Sequence, residues 1–89
     1  MDQEEKHLIR IEQFRAARSL LGWSQTRLAE MAGLSLPTVK RVESGLGPPV
    51  SDQAREKLTR ALQEAGVDFI NENGGGPGVR LRKPSKQKR

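Results

Sequence analysis

The chain has 89 residues, a formal net charge of +5 and no cysteine. A domain near 60 residues buries only about 60% of the surface its unfolded chain exposes, so this length supports one small domain without a deep catalytic cleft or an enclosed cofactor pocket. The absence of cysteine excludes disulfides and thiolate metal sites, and a lone His7 lacks the company a metal ligand needs, so no cofactor and no metal is expected.

The chain opens with "MDQEEKHLIRIE", too acidic for a signal or transit peptide. No apolar run approaches the roughly 18 residues of a membrane span. A soluble, cytoplasmic protein is expected. In residues 8–22, Leu8, Ile11, Phe14, Ala17 and Leu21 recur at three- and four-residue steps and make one helical face. Asp2 and Glu5 have capping-box spacing, so this first helix is expected to begin as early as Gln3 and to stop at Gly22.

A second helix follows over residues 24–32. Ser24 is a good N-cap, Trp23 and Leu28 have hydrophobic-staple spacing, and Leu28, Ala29 and Ala32 point inward. Gly33 ends it where a left-handed residue is wanted. A third helix starts almost at once. Ser35 caps it, Pro37 is tolerated because the first turn needs no amide from it, and Ser44-Gly45 closes it. Val39 and Val42 face inward. The outward residues are then Leu36, Pro37, Thr38, Lys40 and Arg41, with Ser35 at the tip.

"GLGPP" at 45–49 is a loop, and Ser51 or Asp52 caps a fourth helix to about Ala65, with Leu58, Ala61, Leu62 and Ala65 as its buried stripe. Past Gly66 the period becomes two: Val67 and Phe69 alternate with Asp68, and Val79 and Leu81 with Arg80 and Arg82. Two such runs around "NENGGGPG" predict a β-hairpin over 67–82. An isolated hairpin is marginal, so its strands either pack on the helices or pair with another chain. Residues 83–89, "KPSKQKR", are expected to be a disordered basic tail. Arg80, Arg82, Lys83, Lys86, Lys88 and Arg89 supply 6 positive charges, while the rest of the chain holds 10 basic and 11 acidic residues. A basic end of this kind suits a polyanionic partner or simply solubilises the chain.

Two short helices joined by a tight glycine turn cross at a steep angle. Exposed Lys, Arg and Thr are ordinary on the wet face of a plain helical bundle, and equally the major groove of B-DNA admits a helix the size of the second. The outward ridge of the third helix has the chemistry for that role. Arg41 can reach guanine O6/N7 or a phosphate, Lys40 suits phosphate, Thr38 suits either, and Leu36 and Pro37 can meet a thymine methyl. Ser24 and Gln25 can hold a phosphate at the N-terminus of the second helix.

Residues 25–44, "QTRLAEMAGLSLPTVKRVES", resemble the helix–turn–helix of phage-repressor and Cro-type bacterial regulators, the XRE family. The likeness rests on Leu28, Ala29, Ala32, Gly33, Leu34, Val39 and Val42, with the flanking "LGWSQ" and "ESG", and extends over roughly residues 11–70. It implies a mainly α fold, a compact four- to five-helix lambda-repressor-like domain, here over residues 1–66 with the hairpin appended. It also implies that Gln25 and Ser44 contact phosphate, with Ser24 beside them, and that Ser35, Leu36, Pro37 and Arg41 face bases. Arg18 and Glu43 match an ion pair of that family. The sequence departs from many relatives in placing Leu36 and Pro37 where glutamine or asparagine is common, which shifts specificity toward methyl contact and DNA shape. In Cro-like relatives C-terminal strands pair between subunits, which would make Phe69, Ile70, Val79 and Leu81 a homodimer surface.

The functional expectation is a sequence-specific transcriptional regulator of double-stranded DNA, most naturally a repressor. The competing expectation is a protein-binding antiactivator or antitoxin that neutralises another regulator or a toxin. An enzyme is not expected: no nucleophile–base pairing is evident, and "NGGGPG" lacks the Lys-Ser/Thr ending and the following helix of a phosphate loop.

Overall fold

The computed structural model describes residues 9–82. Four helices precede a two-stranded antiparallel sheet: α1 (Ile11–Leu21), α2 (Gln25–Ala32), α3 (Leu36–Ser44), α4 (Asp52–Glu64), β1 (Val67–Ile70) and β2 (Gly78–Leu81). The mainly α architecture with a terminal hairpin is the one expected. The Asp2–Glu5 capping pair and the basic tail 83–89 lie outside the described residues.

The helix boundaries follow local chemistry. Ser24, Ser35 and Ser51 each accept a hydrogen bond from the amide three residues on, at 3.0, 3.2 and 3.1 Å. These bonds satisfy donors that a helix start leaves orphaned. Gly33 ends α2 at φ +71°, and the Leu34 amide reaches back to the Ala29 carbonyl at 2.9 Å, closing a tight left-handed stop.

The start of α1 differs from the expectation. Arg10 is extended (φ −81°, ψ 154°), so within the described residues the helix begins at Ile11, later than position 8 or Gln3. Local and tertiary contacts both hold it there, Gln13 Oε1 accepting from the Arg10 amide at 2.8 Å. Ile9 packs against the core, and its carbonyl accepts from the Arg55 guanidinium of α4. The entering chain is thereby held to α4 and does not extend the axis of α1.

The core joins all four helices and the hairpin: Phe14 and Ala17 of α1, Leu28 and Ala29 of α2, Val39 and Val42 of α3, Leu58 and Leu62 of α4, and Val67 of β1. Ile11, Leu21, Trp23, Ala32 and Leu34 lie partly buried around it. The small Ala29 lets α2 approach its neighbours closely.

The hairpin pairs within the chain, in the register Val67↔Leu81, Asp68↔Arg80, Phe69↔Val79 and Ile70↔Gly78. Phe69 meets Phe14 edge-on, with ring centroids 6.0 Å apart, and Val79 packs beside it against the core. Gln13, only 4% exposed, fastens the hairpin's far end. Its Nε2 donates to the Ile70 and Gly78 carbonyls at 3.2 and 2.9 Å, and its Oε1 accepts from the Arg10 amide at 2.8 Å. The four residues expected to mediate self-association therefore divide. Phe69 and Val79 serve their own core, Ile70 is half-buried, and Leu81 is 45% exposed. Within the chain the two strands pair with each other along their full length.

Candidate nucleic-acid interface

The orientation of α3 decides the candidate interface. Val39 is fully buried, and Val42 and Glu43 are nearly so. Pro37 stands three and four residues before Lys40 and Arg41, and Ser44 four and three after them, so the four share the opposite face, and all are exposed. Leu36 and Thr38 flank that face and are half-buried, more enclosed than an entirely outward ridge would make them.

Polar groups at the two ends of α3 are partly engaged with one another. At the N-terminal tip Ser35 Oγ accepts from the Thr38 amide and lies 2.8 Å from Thr38 Oγ1. At the C-terminal end Ser44 Oγ donates to the Arg41 carbonyl at 3.3 Å and accepts from the Leu46 amide at 3.1 Å, shaping the turn into loop 45–49. The Arg41 stem runs over Gly47, where a Cβ would lie 3.9 Å from Arg41 Cγ.

Behind this face, Glu43 organises three elements. Arg18 Nε and a terminal nitrogen donate to its two carboxylate oxygens at 2.7 and 2.9 Å, and Gln25 Nε2 donates to Oε1 at 3.0 Å. Arg18 also donates to the Trp23 carbonyl at 2.9 Å, tying the α1–α2 corner into the same network. The hydrogen bond and charge of Glu43 raise the Arg18 pKa above the usual arginine value, against the opposing effect of burial. Gln25, read from the sequence as a phosphate contact, thus directs one amide hydrogen inward. It is half-buried at the start of α2, next in the chain to Ser24, which is exposed.

Two residues of this scaffold escaped the sequence reading. Arg15 donates to the Glu43 carbonyl at 2.5 Å, supplying a cation and a donor to the C-terminal end of α3. Its spacing from Ile11 and Arg18, four and three residues, places all three on the α1 face that meets α3, and that spacing was the available signal. Gln13 was the other. A lone polar residue beside an apolar stripe reads as solvated until its partners, 57 and 65 positions away, are known.

The charge pattern separates α2 and α3 from the other helices. Glu12 and Asp52 occupy the first turns of α1 and α4, whereas the first turns of α2 and α3 carry no acid. The acid of α3 is Glu43, buried and neutralised from within. The exposed face of α3 is consequently cationic. Among the described residues no group of three His, Cys, Asp or Glu is placed to hold a metal ion, and no helix is long and apolar enough to cross a membrane.

A search of curated proteins finds no match. A family model described as a helix-turn-helix domain matches residues 11–68, from the first residue of α1 into β1. That span takes in the whole helical core and the Arg18–Glu43 network, and on it the chain belongs to the helix-turn-helix domain family.

Proposed function

We propose that this protein is a sequence-specific regulator of double-stranded DNA, of the phage-repressor and Cro type, that acts as a cytoplasmic repressor by placing α3 in the major groove. The observation that carries this reading is the division of charge on α3: its acid turns inward onto Arg18, while Lys40 and Arg41 turn outward. A helix of this kind offers a polyanion two cations and no repelling carboxylate. Arg41 is the base reader, suited to bidentate contact with guanine, and Lys40 takes a phosphate. Ser24, Gln25 and Ser44 flank the groove as phosphate contacts. The free amides at the acid-free start of α2 add a favourable dipole there. The basic residues beyond Arg82 contribute charge that does not depend on sequence.

Arg41→Ala tests this directly. Specific binding weakens by about 1–3 kcal/mol and discrimination relaxes at one base pair, with unchanged circular dichroism. Unaltered binding would remove α3 from the groove.

A second reading, a protein-binding antiactivator or antitoxin, is favoured by one observation. Leu46 is 74% exposed immediately after α3, a large apolar side chain beside the cationic face. Pull-down from nuclease-treated native cytosol separates the two: one dominant protein partner supports this second reading, and none contradicts it.

A further inference from the structure

We infer that the N-terminal tip of α3 recognises the 5-methyl group of a pyrimidine in the major groove, so that methyl placement, more than base-edge hydrogen bonding, sets specificity at that end of the site. The inference rests on the proposed entry of α3 into the groove and names what its tip reads.

The tip is formed by Ser35, Leu36, Pro37 and Thr38. The two hydroxyls are partly engaged with each other. Their oxygens lie 2.8 Å apart, which commits one of the two hydroxyl hydrogens, and Ser35 Oγ also accepts from the Thr38 amide. Pro37 carries no amide hydrogen. It is exposed, and it stands three and four residues before Lys40 and Arg41, so it shares their outward face. Leu36 flanks it, half-buried and therefore restrained. Pro37 thus puts carbon on the outward face of this tip, one turn ahead of an arginine able to read guanine. In the major groove the apolar feature that distinguishes one base pair from another is the thymine 5-methyl group, which 5-methylcytosine shares.

The test starts from duplexes enriched by the full-length protein from a random pool. Each thymine of the enriched sequence is then replaced singly by deoxyuridine, which removes the methyl and leaves the pairing edge intact. At one or two positions affinity falls about fourfold, the effect of exposing one buried methyl group. In the variant carrying Leu36→Ala and Pro37→Ala, with its fold verified by circular dichroism, the same replacement is neutral. At a sensitive position, a 5-methylcytosine·guanine pair binds more tightly than cytosine·guanine. Comparing it with thymine·adenine identifies which base supplies the methyl. Indifference to deoxyuridine at every thymine overturns the inference while leaving DNA binding intact, as does a penalty that persists in the double variant. Failure to enrich any sequence overturns the DNA reading, and this inference with it.

Discussion

Replacing Arg18 by methionine and Glu43 by glutamine, singly and together, probes the network that fixes α3. Glu43 is 4% exposed and Arg18 23%, so the two ends of the pair are unequally buried. Arg18→Met strands a carboxylate in the interior with Gln25 as its remaining side-chain donor, and the cost of an uncompensated buried charge is about 3–5 kcal/mol. Glu43→Gln costs less, about 2 kcal/mol. The arginine left behind reaches partial solvent, keeps its bond to the Trp23 carbonyl and retains the glutamine oxygen as an acceptor. In the double variant no charge is stranded, so its loss is smaller than the sum of the singles by about 1–3 kcal/mol. For a domain of this size each kcal/mol moves Tm by about 4–8 °C, so thermal unfolding followed by circular dichroism resolves all three differences. The raised pKa of Arg18 fixes the sign of any pH effect from the arginine. Its contribution is fully present below the ordinary arginine range and is lost only as pH climbs through the raised value, so neutral and mildly alkaline buffers give the same ranking. Additive single effects, or a larger loss from Glu43→Gln than from Arg18→Met, would refute this account of the network.

Gln13→Leu leaves the Ile70 and Gly78 carbonyls and the Arg10 amide without their side-chain partner. Destabilisation of about 2–3 kcal/mol is expected, with faster amide exchange concentrated in residues 67–81, as mass spectrometry would show. Gly45→Ala should cost more than Gly33→Ala. Both positions have φ +71°, which carries a penalty of about 1–2 kcal/mol for any residue with a Cβ, but at Gly45 that Cβ also lies 3.0 Å from Ile11 Cδ1, whereas at Gly33 it meets open space. Equal denaturant midpoints for the two variants would contradict the close packing of α1 on the end of α3. Deleting residues 83–89 removes Lys83, Lys86, Lys88 and Arg89, and should weaken binding to all duplexes alike while flattening the salt dependence of affinity. A loss confined to one sequence would assign the tail a reading role instead.

Local chemistry made the four helices legible before any contact was known. Capping serines, left-handed glycines and apolar residues at steps of three to four act within a few positions of one another, so Ser24, Gly33 and Ser35 announce their roles in the sequence alone, while the fourth cap was narrowed to Ser51 or Asp52 and falls on Ser51. The inward turn of Val39 and Val42, and with it the outward turn of Lys40 and Arg41, follows from that same short-range periodicity. The pairing of Arg18 with Glu43 was legible only through a family resemblance, because a separation of 25 positions leaves no local trace of it. What the tertiary structure alone decided lies at longer range. The hold of α4 on the chain entering α1 comes from Arg55, the seat of the hairpin from Gln13 and Phe14, and the inward bond of Gln25 from a carboxylate on another helix. Each of these partners becomes a neighbour only once the helices have packed, and a polar side chain reveals whether it is solvated or structural only through the neighbours it finally meets.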